Sequence, residues 1–156
     1  MKIYHLKRTQ FLPISLSHAW EFFSSPNNLS KITPEHMGFK ILYISGGDKS
    51  YAGQIIRYHV SILPGIKTHW VTEITQVKEP DYFIDQQRFG PYALWHHQHH
   101  FKEVPGGVEM MDEVNYALSL GLLGRLAHFI FVGREVNRIF DHRYKVLEDY
   151  FAEGKK

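Results

Sequence analysis

The chain has 156 residues, 44% of them hydrophobic, and a domain of that length buries about 70% of the surface its unfolded chain exposes, enough for one core. With 18 Lys and Arg against 16 Asp and Glu, a net charge of +2 gives no single-sign field to hold nucleic acid, so no nucleic-acid partner is expected. Zero cysteines remove disulfides, thiolate zinc sites and a cysteine nucleophile together. The start, Met1 to Arg8, lacks the apolar run and small-residue cleavage site of a signal peptide, which predicts a cytoplasmic protein. Two counts stand out, 11 His and a 15% aromatic share, and function is sought there.

Residues Ile3 to Gln10 read as a first strand, broken at Pro13, after which Ser15 or Ser17 can cap a helix whose apolar side is Ala19, Trp20, Phe22 and Phe23. The cluster Ser24-Ser25-Pro26-Asn27-Asn28 ends it, and Leu29 to Ile32 allows a short second helical piece before Thr33-Pro34. From Phe39 to Tyr116 short runs of β-branched and aromatic residues are punctuated by Gly46-Gly47-Asp48, Pro64-Gly65, Pro80-Asp81, Gly90-Pro91 and Pro105-Gly106-Gly107. That pattern predicts six strands, too closely spaced for crossover helices and therefore an antiparallel meander. Beyond them Leu122, Leu126, Phe129, Ile130, Val136, Phe140, Tyr144, Leu147 and Phe151 recur at helical steps, giving one long amphipathic helix interrupted at Gly133. Roughly thirty residues span about 45 Å, enough to cross a whole sheet. The apolar run Leu118 to Val132 falls short of the roughly 20 residues a membrane span needs, so no transmembrane segment is expected and the stripe is read as packed inward.

The order of these elements, together with Trp20 to Leu29, Ile32-Thr33-Pro34, Gly90 to His97 and Asp112 to Tyr116, resembles the START-like (SRPBCC) superfamily, which includes the birch pollen allergen, polyketide cyclases and CoxG proteins. These stretches are similar to a bacterial ligand-binding subgroup often labelled cell division inhibitor. The resemblance runs the whole chain, 1–156, as a single domain. It implies an α+β helix-grip fold: a curved seven-stranded antiparallel sheet wrapped round a long carboxy-terminal helix, with two short helices after the first strand. A ligand cavity between sheet and helix is implied with it.

Trp95 to Phe101 is the densest chemical signal. Alternation puts His97 and His99 on the face of Trp95 and Phe101, and His96 and His100 on the other, which predicts that the first pair faces inward. A two-residue loop at Pro105-Gly106 or Gly106-Gly107 sets His99 opposite Asp112 or Val114 and places Met110, Asp112, Val114 and Tyr116 on the same wall; a three-residue loop would turn Asp112 away. Glu73, Asp85 and Gln87 are further candidates, with Asp85 and Gln87 facing His97 and Trp95 if three residues follow Phe89 in the loop. Tyr92 completes the ligand-binding set.

A His-x-His pair on a strand can offer two imidazoles to a metal, with Asp112 or Glu73 adding to them, but no spacing fixes a fourth ligand, and neither metal nor other cofactor is expected. A His held by Asp in an apolar pocket could also serve as a general base. The reading drawn is binding of a small, largely apolar molecule or lipid, with His, Asp and Glu fixing its orientation. The alternatives are a cofactor-independent cyclase, dehydratase or hydrolase acting on a polyketide-like or lipid-like substrate through His97 or His99, and an interaction protein using the basic, apolar segment Leu122 to Arg138. A weak homo-oligomer is compatible with each.

Overall fold

The computed structural model describes residues 1–63 and 66–153; the expected turn at Pro64-Gly65 lies outside them. Strand β1 (Tyr4–Leu12) leads into helix α1 (Leu16–Phe23), whose first turn is capped by Ser15: its hydroxyl accepts from the His18 backbone N–H at 3.2 Å. The second helical piece is a 3-10 helix, Pro26–Ile32, with a further single turn at Glu35–Met37. Six strands follow, β2 (Lys40–Ile44), β3 (Gln54–Leu63), β4 (Ile66–Lys78), β5 (Tyr82–Phe89), β6 (Leu94–Val104) and β7 (Gly107–Ala117). The sheet order is β1-β7-β6-β5-β4-β3-β2 with every neighbour antiparallel, so β2 to β7 form the meander and β1 closes its far end.

The carboxy-terminal helix comes in two parts, α2 (Gly121–Ala127) and α3 (Gly133–Glu153), joined by a π turn at His128–Val132. Gly133 admits a close neighbour, since a Cβ there would lie 2.8 Å from the His128 ring. α3 packs as the periodicity predicts except at Tyr144. Val136, Phe140, Leu147 and Phe151 are buried, each by the stripe it shares with the sheet or α1. Leu122, Leu126, Phe129, Ile130 and Tyr144 of the expected stripe are exposed, Phe129 by 82%, which corrects the inward reading of this segment. Among the described residues α2 packs chiefly against the π turn that follows it rather than against a strand.

Two apolar clusters flank the middle of the molecule. One joins Trp20, Phe22 and Phe23 of α1 to Phe83, Phe101, Leu147 and Phe151; the other joins Val60, Trp70, Tyr92 and Val114 to Val136 and Phe140. Among the described residues no helix is long and apolar enough to cross a membrane.

Candidate functional site

Between sheet and α3 lies a cavity of about 180 Å³ whose wall is mostly apolar, from Ile56, Tyr58, Val60, Trp70, Trp95 and Phe140. Its polar end is built by β5, β6 and α3. The β6–β7 hairpin uses Pro105-Gly106 as its loop, so that Val104 pairs with Gly107 and His99 with Asp112, one of the two registers open from sequence. The β5–β6 register sets Asp85 opposite His97, as a three-residue loop requires. A bulge in β4, where Ile74 pairs with Asp85 but Gln76 with Ile84, keeps Ile74 and Val77 on the inner side together with Asp85.

His97 and His99 are buried, at 6% and 5% exposure, whereas His96 and His100 are only partly covered. His97 Nε2 donates to Asp112 Oδ1 at 3.0 Å; its Nδ1 stands 3.6 Å from Asp85 Oδ2, too far for a hydrogen bond. His99 Nε2 donates to Asp85 Oδ2 at 2.9 Å, and its Nδ1 lies 2.9 Å from Asp112 Oδ1. The same Nδ1 also lies 3.4 Å from Arg143 Nη2, a donor, so this nitrogen sits between a cation and a carboxylate oxygen. Arg143 of α3 reaches the same Asp112 oxygen with Nη2 at 3.2 Å, while its Nε is buried without a hydrogen-bond partner among the described residues.

Two carboxylates, Asp85 and Asp112, face the Arg143 guanidinium and the two imidazoles. Burial would push the Asp112 carboxyl up, but the Arg143 charge and the bonds from His97 and His99 outweigh it and hold it well below the usual range. Asp85 is likewise lowered, the His99 bond and the charges of His97, His99 and Arg143 overcoming burial. Burial and the charge of His99 lower His97, whereas for His99 the bonds to Asp112 and Asp85 outweigh burial and raise it.

Of the residues singled out from sequence, Asp85, Tyr92, Trp95, His97 and His99 line the cavity. Asp112 lies beneath the histidines at 2% exposure and acts through them. Four placements are corrected. Glu73 is on the outer face, paired with Arg88, because the larger Trp70 and Ile74 take the inner positions of β4. Gln87 binds the Tyr92 backbone on both sides, donating to its carbonyl at 2.7 Å and accepting from its N–H at 3.2 Å, and so ties the loop. Phe101 packs under α1 against Trp20 and Phe23. Tyr116 turns to His128, with Oη 2.8 Å from Nε2. Arg143, Tyr58, Trp70 and Thr72 went unseen in the sequence. Arg143 shares the inward side of α3 with Phe140 and Leu147 at steps of three and four, a basic residue within an apolar stripe, and that was the available signal.

Asp85, His97 and His99 bring ligand atoms within 4.8 Å of one another, a spacing a metal ion could bridge. A metal at His99 Nε2 would first displace the proton bound to Asp85.

No protein-family model and no curated protein matches the sequence. Solved structures do match in shape. A START superfamily protein from Mycobacterium smegmatis aligns with a TM-score of 0.71 at 16% identity, over 96% of this chain and 97% of that one. An aromatase/cyclase from Streptomyces sp. R1128 gives a TM-score of 0.72 at 13% identity, over 99% and 97%. Major latex-like protein 151 from Panax ginseng gives 0.66 at 11% identity, over 96% and 97%. With its sheet order, its long carboxy-terminal helix and this likeness over nearly the full length of each neighbour, the chain has the START-like helix-grip fold.

Proposed function

We propose that the protein binds a small, largely apolar molecule, about one or two rings in size, that carries an oxygen-bearing group. The observation that supports this best is Arg143 Nε, a buried donor without a partner among the described residues, on a residue that lines an apolar cavity. An orphaned buried donor costs about 1–3 kcal/mol unless something accepts from it, and a ligand oxygen would do so. Across the same end of the cavity, His97 Nδ1 is an acceptor without a hydrogen bond among the described residues, able to take a hydroxyl proton. The volume of about 180 Å³ sets the size, since a cavity of roughly 150 Å³ accepts a benzene ring. Native mass spectrometry of protein purified from its own source tests the reading: a retained oxygenated small molecule supports it, and a chain that binds nothing from its own extract opposes it.

A second reading rests on the His97–Asp112 pair. The Asp112 carboxylate fixes the Nε2–H tautomer and leaves Nδ1 basic, as a general base requires, whereas both nitrogens of His99 are engaged. A cyclase, dehydratase or hydrolase would use that nitrogen to take a proton, and one neighbour in shape is an aromatase/cyclase. Product formation from the retained molecule, lost in His97→Gln while binding persists, would favour this reading.

A further inference from the structure

One stretch of the chain carries a dense run of exposed apolar side chains. Leu120, Leu122, Leu123, Leu126, Phe129 and Ile130 are each more than half exposed, all on α2 and its flanking turns. Scattered exposed leucines need no explanation, but six large apolar side chains within eleven residues form a patch that a monomer in water ordinarily avoids. Nothing in the local packing requires them. The segment is fastened to the sheet by His128 instead, whose ring stacks on Tyr4 with centroids 3.4 Å apart and bonds to Tyr116 Oη. Gly124 and Gly133 allow the close approach: a Cβ at Gly124 would lie 2.1 Å from the Ser119 carbonyl oxygen.

The charge around the patch has one sign. Between Glu113 and Glu135 the sequence holds Arg125 and Arg134 and no acidic residue. Glu113 pairs with His5, and Glu135 is buried against His36 and Arg138. Lys2 and Arg125 both line a cleft of about 250 Å³ between the start of β1 and α2. A second copy meeting this patch about a two-fold axis would set the same cations against each other, whereas an anionic bilayer supplies both the apolar interior and the opposite charge.

We propose that α2 and the π turn after it form a docking surface for an anionic membrane, the leucines and Phe129 entering the acyl boundary while Lys2 and Arg125 meet lipid phosphates. The surface is independent of what the cavity holds, and its failure leaves the ligand-binding reading standing. The test is sedimentation of the full chain with vesicles of phosphatidylcholine containing phosphatidylglycerol, against pure phosphatidylcholine vesicles. Binding is expected to the anionic vesicles only, to weaken as salt is added, and to fall about tenfold or more in Leu122→Ser with Phe129→Ser and in Arg125→Glu. The substituted side chains are exposed, and an unchanged thermal melt shows that the variants fold. Equal binding to neutral vesicles, no binding to either, or a concentration-dependent dimer abolished by the serine variant in place of vesicle binding would each overturn the proposal.

Discussion

His97 and His99 stand side by side on β6 with ring centroids 3.8 Å apart, yet the surroundings lower the proton affinity of the first and raise that of the second. Asp112 Oδ1 contacts both rings, and the difference arises at the second nitrogen: Asp85 bonds to His99 but stays 3.6 Å from His97. Nitrogen-15 shifts of the two imidazoles followed across pH should show His99 holding its second proton to higher pH than His97. The reverse order would undo the asymmetry described for this site.

The same asymmetry sets the pH dependence of stability. His99 is raised above its unfolded value of 6.5, so its contribution is complete below that pH and is lost as pH rises through the folded value. His97 is lowered, so its contribution is complete above 6.5 and is lost as pH falls toward the folded value. In urea titrations across pH, His99→Gln should flatten the alkaline limb, and His97→Gln the limb just below pH 6.5. The opposite pairing would reverse the two directions of shift.

Asp112 holds Arg143 and both histidines at 2% exposure, so Asp112→Ala leaves buried cations unpaired and should cost about 3–5 kcal/mol in denaturant unfolding. A cost under about 1 kcal/mol would mean that the cluster is hydrated rather than dry.

Thr72 Oγ1 accepts from the Trp70 indole N–H at 3.0 Å and bonds the Tyr58 hydroxyl at 3.2 Å, inside the cavity wall. Thr72→Val keeps the shape and strands both partners. It should destabilise by about 1–3 kcal/mol, whereas Leu122→Ser on exposed α2 should stay within about 0.5 kcal/mol.

With both nitrogens of His99 turned to carboxylates, protein purified without an affinity tag should carry no stoichiometric transition metal by elemental analysis. One zinc per chain, lost together in a His97→Ala and His99→Ala double variant, would show that the metal wins over the proton.

The order of elements was legible because each rule involved is local: a Ser cap, Pro and Gly punctuation, and a change of apolar period from two to 3.6. The inward face of β6 was legible for the same reason, since Trp95, His97, His99 and Phe101 alternate without a break. Glu73 was misplaced because alternation in β4 gives two faces and no sign of which is inside; Trp70 and Ile74 decide that by their area. Phe101 and Tyr116 share the face but not the cavity, since what covers them comes from outside the strand, from α1 for Phe101 and from His128 in the π turn for Tyr116. Arg143 was hidden in a helical stripe otherwise read as apolar. Exposure of α2 was illegible because periodicity reports an apolar side and not whether a sheet lies opposite it.

The binding reading is tested most simply through the three tryptophans. Trp70 and Trp95 line the cavity, whereas Trp20 sits in the cluster beneath α1 and does not. Phenol, one ring with one hydroxyl, titrated into nitrogen-15-labelled protein should shift the indole N–H signals of Trp70 and Trp95 in a saturable way and leave Trp20 in place. Toluene, which has no oxygen for Arg143 or His97, should bind more weakly. Signals that never move, or that move equally at all three positions, would contradict a ligand cavity between the sheet and α3.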